Sequence, residues 1–450
     1  MSAANKHNPD DFINAGIDLC AREGMRALTA RKLARDLGIA PMVLYRHFDS
    51  LDHFRTAVWN ACYARMDKVM WPEGNESGDY ADVFRRACRA MANFGTDHPN
   101  LLWFMWDVHW TPERYGMESA RRKALDSMMN LHRLGKESGA FRPDLNVYQS
   151  TLRTIYTMMG LTAFLITNIH TRIAAWEPDA LLEDGIDHML ARMTLPKIRV
   201  GLEPSCATGG VDPSMVAWCS GNREVFGSES GGKSPFGEAA PDSLNNPGTE
   251  KTYPKCGDKT REEFIRAGVR VCNRDGMHAL TARGIGQELD CTPMVLYRRF
   301  DSMEGFSAAV WNACFGLFNR SLWPLYDVPA DCRTAIRRFV RAATVFNLDH
   351  PNLLWFMNAT RWVPERYGLE NQRLKGLNRL VDLHRRCVEC GDRHPDADPL
   401  LASLRAVYTI LGLSVFLNTS KEARIAEWDT DALLTDAVDL ILEGYARSPR

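Results

Sequence analysis

Apolar positions recur at three- and four-residue spacings from Asn8 to Thr194 and predict a run of helices. Asn8-Pro9 opens the first helix, whose inward face is Phe12, Ile13, Gly16, Ile17 and Cys20 and which closes near Gly24. Thr29 is placed to cap a second, short helix carrying Leu33, Ala34 and Leu37 inward. Gly38 stands where the chain must reverse through a left-handed conformation. Pro41 then fits the first turn of a third helix, with Leu44 and Phe48 inward and Val43, Tyr45, Arg46 and His47 outside. A fourth follows Asp49-Ser50, with Phe54, Val58, Trp59, Cys62 and Met66 as its stripe, and ends at Trp71-Pro72. Further stripes predict helices over 80–97, from Asp97-His98-Pro99 to a break at Pro112, and over 117–135, 146–168 and 178–193.

The same pattern occurs twice. Leu28–Phe48 reads LTARKLARDLGIAPMVLYRHF and Leu280–Phe300 reads LTARGIGQELDCTPMVLYRRF, and a constant shift of 252 maps one half onto the other without a gap. Phe12/Phe264, Trp59/Trp311, Trp103/Trp355, Arg153/Arg405 and Gly160/Gly412 all keep that register. Whole domains are therefore duplicated. The expected organisation is a helix–turn–helix head at 9–71 and a helical body at 79–194, then a second head at 260–323 and a second body at 331–446. Residues 195–258 lose all periodicity and are rich in Pro, Gly, Ser, Asn and Asp, which predicts a disordered linker. About 64 flexible residues have a root-mean-square span of roughly 45 Å, enough to return from one body to the next head.

The segment Pro41-Met42-Val43-Leu44-Tyr45-Arg46-His47-Phe48-Asp49-Ser50, preceded by Ala27-Leu28-Thr29-Ala30-Arg31-Lys32-Leu33-Ala34, resembles the DNA-binding region of TetR-family repressors. The likeness is specific over about the first 60 residues and looser beyond. It implies an all-α fold in which each three-helix head is followed by a helical body that binds a ligand and pairs with a second copy. It also implies double-stranded DNA as partner. The implied DNA contacts are Thr29, Arg31, Met42, Val43, Tyr45, Arg46 and His47, and in the second half Thr281, Arg283, Met294, Val295, Tyr297, Arg298 and Arg299. Arginine pairs with guanine edges, whereas tyrosine and threonine hydroxyls mostly meet phosphates. One position departs from the family: where it usually has a phosphate-contacting lysine after the turn serine, this chain has Leu51 and Met303.

Charge separates the two heads. The whole chain has a formal net charge of −1, but residues 22–68 hold nine Lys/Arg against five Asp/Glu, leaving +4. Residues 274–320 hold five of each and are neutral. The second head also has Gly284 and Gly286 inside a helix, where each costs up to about 1 kcal/mol against alanine, and Asp290 in place of the turn glycine. It is expected to be the weaker head.

Aromatic side chains and polar groups in the bodies suggest a pocket for a small hydrophobic effector. The candidates are Trp103, Trp106, His109, Trp110, Arg153 and Tyr156, and in the second half Trp355, Arg361, Trp362, Arg405 and Tyr408. The twelve cysteines fall partly at repeated inward positions (Cys20/Cys272, Cys62/Cys314), and Cys387/Cys390 is a lone CxxC beside His394, so neither a metal nor a cofactor is expected. No apolar run of membrane-spanning length and no signal peptide stands out, which predicts a cytoplasmic protein without membrane partners. No catalytic constellation is apparent. The reading is a DNA-binding regulator, a repressor forming an internal pseudo-dimer, one chain per near-palindromic operator. A ligand-binding or docking scaffold that has lost DNA binding is the alternative.

Overall fold

The computed structural model describes residues 8–72, 79–106, 110–168, 177–194, 259–323, 331–359, 362–420 and 429–443. The proposed linker 195–258 lies outside these residues. The described residues are helical, and no strand occurs among them. In the first half, α1 (Pro9–Glu23) is closed at its N-terminus by a capping box between Asn8 and Asp11. α2 (Ala30–Leu37) starts where the Thr29 hydroxyl accepts from the Lys32 N–H at 3.3 Å and stops at Gly38, which sits at φ 66° and ψ 34°. A 3₁₀ helix, Pro41–Arg46, follows. α3 (Leu51–Met70) is capped by Ser50. The body comprises α4 (Tyr80–Asp97), α5 (Pro99–Met105), α6 (Ala120–Glu137), α7 (Val147–Asn168) and α8 (Pro178–Thr194). α5 ends at Met105, short of the predicted Pro112, because Trp106 already closes its last turn.

The second half repeats these elements at the predicted offset. They are α9 (Arg261–Asp275), α10 (Ala282–Glu288), α11 (Pro293–Arg299), α12 (Met303–Leu322), α13 (Cys332–Asp349), α14 (Pro351–Ala359), α15 (Gln372–Glu389), α16 (Pro399–Ser420) and α17 (Thr430–Glu443). The repeat extends to individual hydrogen bonds. Trp59 Nε1 donates to the Met105 carbonyl at 3.0 Å, and Trp311 Nε1 donates to that of Met357 at 3.0 Å. Asn60 brackets the start of α6 through the Glu118 carbonyl and the Ala120 N–H, as Asn312 does for α15 through Glu370 and Gln372. α16 is long and apolar enough to cross a bilayer by length and composition, but most of it is buried and it serves as a core helix.

The chain divides into two compact units that do not coincide with its two halves. One unit joins the first half to Leu404–Ala446. Within it, α7 meets α16 where two glycines face each other: a Cβ on Gly160 would lie 1.8 Å from the Tyr408 carbonyl oxygen, and one on Gly412 would lie 1.7 Å from that of Tyr156. Only glycine permits so close a backbone approach. Two ion pairs related by the 252 shift flank this crossing. Arg153 binds Asp436, with Nε to Oδ2 at 2.9 Å, and Arg405 binds Asp184, with Nε to Oδ2 at 2.9 Å. Asp436 also accepts from the Tyr156 hydroxyl at 2.8 Å and the Gln149 amide at 2.9 Å. The second compact unit contains the second head, whose core includes Phe264, Ile285, Leu296, Phe306 and Trp311.

His132 and His384, another repeated pair, are fully buried. His132 contacts the Met128 carbonyl through Nδ1 at 2.8 Å and the Thr154 hydroxyl through Nε2 at 3.2 Å; His384 Nδ1 lies 3.1 Å from the Ser403 hydroxyl. Burial pushes their pKa values down, to about 4 for His132 and about 3 for His384. A depressed histidine pKa means that the unfolded chain binds more protons, so the stability from these residues is complete above pH 6.5 and is lost as pH falls toward 4. At pH 5 the expected loss is about 2 kcal/mol per histidine. Melting midpoints recorded from pH 7.5 to 5 should fall steeply, and a His132→Gln/His384→Gln variant should flatten the curve. An equal slope in that variant would show that other groups set the acid response.

Candidate nucleic-acid interface and body cavity

In the first head, α1, α2 and α3 bury Phe12, Leu19, Leu33, Leu44, Phe48 and Phe54 beneath the Pro41–Arg46 element. That element leaves Met42 71% and Tyr45 42% exposed, and its counterpart α11 leaves Met294 66% and Tyr297 45% exposed. Of the five large apolar side chains exposed among the described residues, these are four, so both elements present apolar surface to solvent. Arg46 on that element and Arg298 and Arg299 on α11 are exposed, as are Arg31 on α2 and Arg283 on α10. The Thr29 and Thr281 oxygens accept from backbone N–H groups of α2 and α10, which leaves each hydroxyl hydrogen free in direction to meet a phosphate oxygen.

Two predicted contacts need correction. Val43 and Val295 are buried, 7% and 9% exposed, and belong to the core. The sequence reading admitted only the Leu44/Phe48 pair as inward, but a short helix lying across its neighbours buries a stripe more than one residue wide. His47 is half-buried and packs on Phe12, with ring centroids 5.2 Å apart, whereas the second head has the exposed Arg299 at that position. Other charged residues are structural. Arg22–Asp36 at 2.8 Å and Lys32–Glu23 at 2.6 Å tie α1 to α2, and Arg270 and Arg274 do the same for α9 and α10 through Glu288 at 3.1 Å.

The body candidates mostly serve the packing. Arg153, Tyr156 and Arg405 are committed to Asp436 and Asp184, and Tyr408 lies against Gly160 and Gly185. Burial raises the Tyr156 hydroxyl pKa well above its ordinary value, with the Asp436 carboxylate adding to the effect. Trp103 packs edge-on to Trp106 at 5.3 Å, and Trp110 lies edge-on to Phe104 at 5.7 Å. Trp355 is half-buried, and Trp362 packs against the second head's core. His109 and Arg361 lie outside the described residues. A cavity of about 70 Å³ does exist in the first unit. Of the predicted residues only Trp106 lines it, together with six methionines (66, 70, 91, 105, 128 and 159), Arg121 and Phe416. The methionines were missed because, read singly, each looks like ordinary core. The second unit has an open groove of about 400 Å³ lined by Asn319, Arg320, Gln372, Lys375 and Arg379, which lies on another face of the α12/α15 pair and is not the repeat of this cavity.

Residues 12–58 match the family described as bacterial regulatory proteins, tetR family. The match spans most of α1, all of α2 and the exposed Pro41–Arg46 element. This is a TetR-type DNA-binding domain. Solved structures resemble single halves of the chain's length. The fatty acid degradation regulator FadR from Bacillus halodurans is 16% identical over 40% of this chain and 94% of its own, with a TM-score of 0.34. FadR from Bacillus subtilis, solved in complex with stearoyl-CoA, is 13% identical over 42% of this chain and 100% of its own, at 0.36. The TetR-family regulator PfmR from Thermus thermophilus is 19% identical over 41% and 99%, at 0.31. No curated protein sequence matches the chain.

Relative to the TetR-type domain, the second head is altered but not loosened. Asp290 takes φ 50°, the one positive φ of a non-glycine residue among the described residues, and so occupies the turn that Gly38 makes in the first head. The two glycines of α10 are not merely weak helix formers. A Cβ on Gly284 would lie 2.5 Å from the Ala279 carbonyl oxygen, and one on Gly286 would lie 2.6 Å from that of Cys291, so the tighter packing of this head requires both. The charge difference should still govern binding. Arg46→Glu, in the +4 head, should weaken duplex binding more than Arg298→Glu in the neutral head. Equal losses in matched gel-shift titrations would show that local geometry, not net charge, decides.

Proposed function

We propose that the chain is a DNA-binding transcriptional regulator, a repressor and not an enzyme, that places two TetR-like heads on one near-palindromic operator. The two halves act as the two subunits of a dimer. The observation that carries this reading is the reciprocity of Arg153–Asp436 and Arg405–Asp184 about Gly160 and Gly412. A contact in which residue i meets j and the equivalent of j meets the equivalent of i is the mark of a two-fold interface. Joined in one chain, the halves meet at high effective concentration. Near-identity of PMVLYRH and PMVLYRR supports two similar half-sites.

Release by a small hydrophobic effector is supported by the methionine-lined cavity. At about 70 Å³ it is well below the roughly 300–1,000 Å³ of drug-sized ligand sites, so entry would require the flexible methionines to re-pack. Arg121, which donates to the Thr419 carbonyl at 3.2 Å, would offer an anionic group a partner at the cavity wall. The neutral second head, together with Leu51 in the first head and Met303 in the second where a lysine is usual, favours a second reading, a scaffold that no longer binds DNA. A steep fall of duplex affinity with salt separates the two, because only phosphate neutralisation produces it.

Light scattering should give the mass of one 450-residue chain, and titration of a selected operator should saturate at one chain per duplex. A concentration-independent two-chain mass with two chains per operator would overturn the pseudo-dimer and favour a swapped arrangement.

A further inference from the structure

We infer that the second body carries a tetrahedral, thiolate-rich site for a divalent cation, zinc by ligand type, built from Cys332, Cys387, Cys390 and Asp392. Cys387 and Cys390 are separated in sequence by 55 residues or more from the third thiol, Cys332, and the fold brings them together. Cys332 is the first residue of α13, Cys387 lies in the last turn of α15, and Cys390 caps that helix. Gly391, at φ 80°, turns the chain back so that Asp392 Oδ2 accepts from the Cys332 N–H at 3.3 Å. The Cys332 and Cys390 sulfurs lie 3.4 Å apart, and both fall within 4.8 Å of each other and of an Asp392 oxygen. Cys387 stands one helical turn before Cys390, whose thiol donates to the Cys387 carbonyl at 3.6 Å. In a tetrahedral zinc site with Zn–S bonds of about 2.3 Å, neighbouring sulfurs stand about 3.8 Å apart, a small adjustment from the spacing here. Three thiolates and one carboxylate suit zinc, since soft sulfur ligands exclude magnesium and calcium.

The internal duplication gives this cluster its weight. At the equivalent positions the first half has Tyr80, Gly135, Ser138 and Ala140, while the turn glycine, Gly139, is kept at the same φ of 80°. The backbone that assembles the site is therefore shared by both halves, whereas all four ligands occur only in the second. Burial is graded from Cys387, buried, through Cys332, half-buried, to Cys390 and Asp392, exposed, which leaves a path from solvent to the sulfurs. A bound ion would link the start of α13 to the end of α15.

The test uses the reduced full-length chain. Titrated against a chromophoric zinc chelator, it should take up one equivalent of zinc, and Cys332→Ser and Cys390→Ser should each abolish that uptake. Cobalt(II) added to the unaltered protein should give thiolate-to-metal charge-transfer absorption of the intensity expected for three sulfurs, together with tetrahedral d–d bands. This reading does not depend on variants that fold. Absence of thiolate–cobalt absorption, zinc uptake that survives both substitutions, or loss of two thiols to a Cys332–Cys390 disulfide that zinc does not prevent would each overturn the site.

Discussion

Asp436→Ala should lower the stability of the chain by about 3–5 kcal/mol, the usual consequence of removing one partner of a buried ion pair. The Arg153 and Asp436 side chains are 7% and 2% exposed, and the same carboxylate accepts from Tyr156 and Gln149. Its loss leaves a guanidinium, a phenol and an amide in a low-dielectric interior without the acceptor they converge on. Asp184→Ala removes the repeated partner, but at 19% and 18% exposure the Arg405–Asp184 pair is partly solvated, and its loss should fall between that value and the 0–1 kcal/mol or so of surface pairs. Thermal and urea unfolding would read the difference, about 6–20 °C in melting midpoint for Asp436→Ala. The double change Arg153→Met/Asp436→Leu should recover most of the loss, because an apolar pair needs no compensation. Equal, small effects at both aspartates would mean that the interior is wetter than its burial indicates.

Gly160→Ala and Gly412→Ala should each be more damaging than any surface substitution, above about 4 kcal/mol. A Cβ at either position collides with backbone, not with a side chain that could rotate away, so α7 and α16 must separate. Separation also strains both flanking ion pairs. Gly316→Ala serves as the control. It lies inside α12, where the added Cβ would meet only the far end of Arg320 at 3.5 Å and the Gln372 side chain at 3.7 Å, and it should be neutral or stabilising by up to about 1 kcal/mol. If differential scanning calorimetry gave similar small shifts for Gly160→Ala and Gly316→Ala, the close crossing would be refuted.

Much of this architecture was legible in the sequence because its signals are local. Asn8, Thr29, Gly38 and Ser50 are caps and turns whose chemistry acts within three or four residues, and the structure places each where the pattern put it. The 252 shift added long-range information that a single copy would not have carried. What escaped were properties set by neighbours distant in the chain. Val43 reads as outward by helical spacing but is covered by the helices beneath it. Arg153 and Tyr156 read as ligand groups because their partner, Asp436, lies 283 and 280 positions away. Gly160 and Gly412 looked like ordinary helix glycines until a backbone was seen against each. Cys332 was missed beside the CxxC because nothing in the sequence brings the start of α13 to the end of α15.

The exchange of Leu404–Ala446 into the unit formed by the first half also has a consequence for how the protein is made. Roughly 240 residues separate the end of α7 from the start of the segment that covers it. At about 5–20 residues per second, the ribosome needs about 10–50 s to supply that segment. Throughout that interval a nascent chain with a nearly complete first head exposes the apolar faces of α7 and α8. It is then a natural client for chaperones and open to pairing with a neighbouring nascent chain on the same message.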